Sequence, residues 1–260
     1  MITITAKTAA GEILASTRHE SEALLCFDHR YAEGDIIEIA SDAQHLWVQP
    51  DASLLPGEVY LPDGRMSWRV PWGEHRLAYR PGAFEEARHI ASARAMSPEE
   101  TAARRCISRN PADLRGDTDF FPHCTANVET RGESCFAARN VIDGLRFNSF
   151  HGEWPFQSWG IGAREDAWCM IDLGREVMID EIALTLRADF PHDAYWVRGR
   201  VVLPDGFLVE FPLQKTGERQ YVWLGRRRAR WLRLESLIKS DDPSAFPALR
   251  QWEVFGWDAL

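Results

Sequence analysis

Apolar and polar residues alternate over most of the chain, and the alternation predicts strands. Before residue 72 the runs MITIT, GDIIEIA, HLWVQ, EVYLP and MSWRVP have this character; after residue 165 come WCMIDLG, EVMIDEIALTLR, WVRGRVVLP, FLVEFPL, QYVWLG and WLRLESL. They are rich in Val, Ile and aromatics and are broken by Gly, Pro and Asp, as strands and their turns are. Within 181–187, Ile182, Leu184 and Leu186 share one face while Glu181, Thr185 and Arg187 take the other; Phe207, Val209 and Phe211 also share a face. One face packs and the other meets water, an arrangement that two antiparallel sheets satisfy by stacking about 10 Å apart. The predicted fold class is mainly β, built as two β-sandwich domains.

Two hairpin signals resemble each other. EVYLPDGRMSWRVP (58–71) and RVVLPDGFLVEFPL (200–213) each set Asp-Gly between apolar-rich runs, and that dipeptide tolerates the positive φ of a tight turn. The middle of the chain reads differently. In SPEETAARRC (97–106), Ser97 is placed as N-cap, Pro98 as first helical residue and Glu100 as the reciprocal partner three residues on, which predicts a short capped helix. The flanking GAFEEARHIASARAM fits helix or strand. These features place a small β-sandwich over 1–85, a linker with the helix over 86–108, and a second domain over 109–260.

Composition narrows the partners. The 260 residues carry a formal charge of −9, the opposite of what binding to nucleic acid or an anionic membrane requires. The basic run GRRRAR (225–230) leads into the alternating WLRLE, so it reads as a solvated hairpin tip before a strand. Five cysteines, scattered and without a CxxC pair, argue for reduced thiols that mostly pack. No basic stretch followed by an apolar run opens the chain, and no segment reaches the ~18 apolar residues that span a bilayer. The expectation is a soluble cytoplasmic protein.

From residue 125 the order of features becomes specific. Ile142-Asp143-Gly144, Trp168-x-x-Ile-Asp-Leu-Gly174, the Ile-x-x-Ile-x-Leu strand at 179–184 and the closing Glu-Val-Phe-Gly at 253–256 follow one another. In order and spacing this resembles the discoidin-like (coagulation factor type C) domains, galactose-binding-like jelly rolls that include bacterial carbohydrate-binding modules. The resemblance implies a jelly roll whose ligand loops gather at one end. It also implies a structural calcium held by carbonyls of the Asp-Gly turn, the Asp143 side chain and a carboxylate near the last strand. Gln251 stands at that last position, a neutral ligand, so the expectation is that no cofactor is required and that any calcium is weakly held.

Three loops carry recognition chemistry. FHGEWPFQSWGIG (150–162) offers His151, Trp154 and Trp159, with Trp159 expected in the core and Trp154 as the more exposed ring; RADFPHDAYW (187–196) offers Arg187, His192, Asp193 and Trp196; LIKSDDPSAFPAL (237–249) offers Lys239. Sugars present C–H patches beside hydroxyls, and these residue types answer both. The reading is a carbohydrate-binding protein. One alternative is an enzyme, a hydrolase or lyase acting on a sugar through His192 and Asp193, with His151 or His123; another is a protein-interaction module. No GxSxG, phosphate-loop, HExxH or dinucleotide motif supports a narrower enzyme class.

Overall fold

A computed structural model, in which residues 1–148, 150, 152–188 and 194–258 are described, resolves the alternation into two β-sandwiches. The first contains β1 (Ile2–Lys7), β2 (Ile13–His19), β3 (Glu22–Asp28), β4 (Ile36–Ser41), β5 (His45–Gln49), β6 (Gly57–Tyr60), β7 (Arg65–Arg69) and β8 (Arg88–Ala95). One antiparallel sheet runs β2-β1-β4-β7 and the other β3-β8-β5-β6. Ile2 and Ile4, Ile37 and Ile39, and Met66 and Trp68 point inward from the first; Leu25, Leu46, Val48, Ala91 and Ala93 meet them from the second. The segment left open between helix and strand is β8, and it pairs along its length with β3.

The core of this sandwich reaches beyond residue 85 and beyond its own strands. Ala112 and Phe120 are buried in it, and Trp68 donates its indole N–H to the Ala112 carbonyl at 3.0 Å. Between the sandwiches lies α1 (Pro98–Ala102), where the Glu100 amide donates to Ser97 Oγ at 3.2 Å and the Ser97 amide to the Glu100 carboxylate at 2.9 Å. This is the capping box that the sequence predicts, on a helix shorter than 97–106.

The second sandwich contains β9 (Arg105–Cys106), β10 (His123–Ala126), β11 (Trp159–Gly160), β12 (Cys169–Leu186), β13 (Trp196–Val202), β14 (Leu208–Pro212), β15 (Gln220–Lys239) and β16 (Ala248–Asp258). The order is β11-β16-β12-β15-β13-β14, with β10 also on β12 and β9 on β16. Two long strands fold this sheet over on itself. The start of β12 pairs with β10 and with 231–234 of β15, whereas its later part pairs with β16 and with 220–229. Register breaks between Asp172 and Val177 and between Ile179 and Glu181 supply the extra residues that bend a strand from one layer to the next. Gly174 sits at the first break with φ +72°, and a Cβ there would lie 2.4 Å from the Phe121 ring.

The basic run is not a hairpin tip. It lies inside β15, because its outward arginines cover aromatic rings: Arg227 lies 3.4 Å from the Phe207 ring centroid and Arg226 5.6 Å from that of Trp257, while Arg228 pairs with Glu176 at 3.0 Å. No helix among the described residues is long and apolar enough to cross a membrane.

Candidate functional site

Where the second sandwich closes, several predicted ligand residues do converge, but as packing. Trp159 and Trp196 are 0% and 1% exposed, with ring centroids 6.3 Å apart. Trp159 donates its indole N–H to the Val128 carbonyl at 2.9 Å. Arg187, 1% exposed, holds its guanidinium 5.7 Å from the Phe156 ring. Lys239, opposite Trp196 in the β13–β15 register, donates to the Ser240 carbonyl at 2.8 Å. Buried indoles and an arginine on a ring stabilise the end of a core, and they offer a ligand no open face. His151, His192 and Asp193 lie outside the described residues; His123, the other residue of the enzyme alternative, is buried with Nδ1 2.7 Å from Asp113.

Trp154 differs. Its loop leaves the second sandwich and docks against the first, where Gln157, fully buried, donates its amide to the Ala78 carbonyl at 3.0 Å; the separate turn Ser134–Phe136 docks beside it, Ser134 donating to the Glu74 carbonyl at 2.7 Å. Half-buried Trp154 then lines a pocket of about 280 Å³ with Leu54, Leu55, Arg80 and Leu145. Its indole N–H is buried without a hydrogen-bond partner among the described residues.

Tyr79 and Arg139 line that pocket and also an adjoining larger cleft, about 790 Å³. The Arg139 guanidinium stacks 4.8 Å from the Tyr79 ring and donates to the Asp113 and Pro111 carbonyls at 2.7 and 3.0 Å. Burial pushes the Tyr79 phenol above its ordinary value. Around the large cleft stand Trp72, 37% exposed, and the exposed charged or titratable groups Glu33, Arg69, His75 and Asp117. None of these four makes a side-chain hydrogen bond or ion pair among the described residues. Arg76 covers part of the Trp72 ring at 4.4 Å. Sequence reasoning missed this cleft because its residues come from the first sandwich, from the 114–117 connection and from 134–139, and only the fold joins them.

The expected calcium position has a different chemistry. Gln251 donates its amide to Asp143 Oδ1 at 2.7 Å and to the Asn140 carbonyl at 2.8 Å, and accepts from the Gly144 amide at 3.0 Å. Arg250, 1% exposed, places its guanidinium 3.4 Å from Asp143 Oδ2. Burial raises the Asp143 carboxyl above the usual range, against the pull of Arg250 and Arg139. The oxygens that would ligate a calcium are engaged by N–H donors, one of them cationic, so this donor set does not fit the ion. His45, Glu58 and Asp258 also approach one another. Their carboxylates are taken by arginines: Arg105 reaches Glu58 and Asp258 at 2.6 Å each, and Arg175 pairs with both. That cluster is an ion-pair network joining the two sandwiches.

No protein-family model matches the sequence, and no curated protein matches it either. Solved structures of carbohydrate-binding modules and a lectin domain do. Chitosan-binding module 1 from a chitosanase/glucanase of Paenibacillus sp. IK-5 is 16% identical, covering 58% of this chain and 99% of its own, with a TM-score of 0.41. The family 32 module of C. perfringens NanJ, solved with galactose, is 14% identical over 51% of this chain and 91% of its own, at 0.39. The lectin domain of lectinolysin, solved with Lewis B antigen, is 18% identical over 60% of this chain and 98% of its own, at 0.44.

Proposed function

We propose that the protein binds carbohydrate in the cleft between its two sandwiches. The observation that carries this reading is the pairing of an accessible indole with unengaged charged groups of both signs: Trp72 beside Glu33, Arg69, His75 and Asp117, with Trp154 lining the adjoining lobe. A sugar sets its C–H face on a ring and its hydroxyls on such groups, which act as donors and acceptors at once. The cleft has the size of a ligand site, about 300–1,000 Å³, and lies at a domain junction, where such sites concentrate. The discoidin-like motifs of the second half support the same class. Of the described loop residues read from the sequence, the proposed site draws on Trp154, against the first sandwich. A glycan array followed by thermal-shift titration tests the reading: a soluble sugar that binds is expected to raise the melting temperature with its concentration, and no response to any glycan contradicts it.

A further inference from the structure

The outer face of the second sandwich carries a feature that the cleft does not use. On β15, Tyr221 and Trp223 point away from the core, 54% and 64% exposed. Tyr221 shares a rung with Ala183 and Glu253, and Trp223 shares the next with Glu181 and Phe255. The Tyr221 and Phe255 rings lie 6.3 Å apart at 32°, so the face presents a patch of aromatic rings.

At the Glu253 side of this patch is a small pocket of about 100 Å³ lined by Arg109, Arg146, Arg219 and Glu253. Three arginines and one glutamate thus line it. Arg219 takes both Glu253 oxygens, at 2.6 and 2.5 Å, and Arg146 stands 4.0 Å from the same carboxylate. Arg109 donates one nitrogen to the Pro56 carbonyl at 3.3 Å, while its Nε–H is buried with no acceptor among the described residues. In a chain whose net charge is −9, such an excess of positive charge is local and specific. At about 100 Å³ the pocket is smaller than the ~150 Å³ cavity that holds a benzene ring, so it has room for a carboxylate or sulfate group and not for a sugar ring. The ring would rest on Tyr221, about two strand spacings, ~10 Å, from Glu253.

We infer that this face is a second binding site, selective for an acidic sugar whose carboxylate or sulfate enters the Arg109–Arg146–Arg219 pocket and whose ring lies on Tyr221. The inference rests on the reading of the protein as a carbohydrate binder but uses none of the cleft residues. Charge complementarity selects the ligand, because guanidinium forks bind planar and tetrahedral oxyanions with paired hydrogen bonds.

The experiment is isothermal titration of the full chain with a trigalacturonate, a neutral galacto-trisaccharide and inorganic sulfate, at low and high salt. Arg146→Gln and Tyr221→Ala alter half-buried or exposed side chains and leave the core intact. The wild type is expected to bind trigalacturonate more tightly than the neutral sugar at this face, with affinity falling as salt rises. Each variant should weaken it about tenfold or more, whereas Trp72→Ala should not. Equal binding by both variants and wild type overturns the inference, as does sulfate binding as tightly as the trisaccharide, which would mean an anion pocket without a sugar site. Sedimentation showing a dimer that Tyr221→Ala dissolves would assign the face to a second copy instead and also overturn it. Loss of this site alone leaves the cleft reading standing, since Trp72→Ala and Trp154→Ala report on that separately.

Discussion

Arg250 holds its guanidinium 3.4 Å from the Asp143 carboxylate with both side chains buried, at the place where the discoidin-like resemblance implies calcium. A resident cation on the last strand thereby neutralises the Asp-Gly turn, and Gln251 ties the same turn to Asn140. Breaking a buried pair leaves an uncompensated charge, so Arg250→Met is expected to cost about 3–5 kcal/mol of stability. Chelator is expected to leave the melting temperature of the wild type unchanged. Calorimetry with and without EDTA checks both, and a fall with EDTA that calcium restores would contradict the assignment.

The junction between the sandwiches should be pH-sensitive in acid. Burial works to raise the Glu58 carboxyl, but hydrogen bonds and charge from Arg105 and Arg175 outweigh it and hold the group below its ordinary value. A carboxylate with a depressed folded value contributes stability above its unfolded value, about 4.3, and loses that contribution as pH falls through the folded one. Glu58→Gln is therefore expected to destabilise by about 3–5 kcal/mol at neutral pH, with the difference from wild type closing in strong acid. Denaturant melts across pH measure it.

A second pH-dependent pair has the opposite sign. His123 lies 2.7 Å from buried Asp113, and although burial disfavours the imidazolium, the charge and hydrogen bond of Asp113 prevail and raise its value. Its contribution is complete below the unfolded value, about 6.5, and is lost as pH rises through the folded one. The stability gap between wild type and His123→Gln should be widest in mild acid and narrow in alkali.

Trp159 and Trp154 separate core from site within one loop. Trp159→Ala removes a fully buried indole and is expected to cost about 3–5 kcal/mol of stability. Trp154→Ala removes a half-buried ring that lines a pocket, with a smaller cost. Urea melts of the two variants compare them directly.

Strand periodicity made the sandwich strands legible, and the Ser97–Glu100 signature located α1, because both are local patterns that burial and capping write directly into sequence. The expectation that Trp159 packs in the core also agrees with the structure. What sequence hid was long-range. The runs 168–174 and 176–187 read as two strands, yet they form one, since a bulge looks like a turn when its partner is unknown. The arginines of 225–230 looked like a hairpin tip because the rings that Arg227 and Arg226 lie over, Phe207 and Trp257, come from other parts of the chain. The loop 150–160 looked like an open rim because nothing in it announces that the first sandwich docks there through Ala78. Arg69, Trp72 and Asp117 carried no motif at all; the cleft exists only once two sandwiches meet.

The most direct test of the account is calorimetric titration of a glycan identified by array into wild type, Trp72→Ala and Trp154→Ala, with the melting temperature of each measured alongside. Each substitution is expected to weaken binding by about 1–3 kcal/mol while the folded protein persists. Wild-type affinity in both variants would contradict a site in the cleft between the sandwiches.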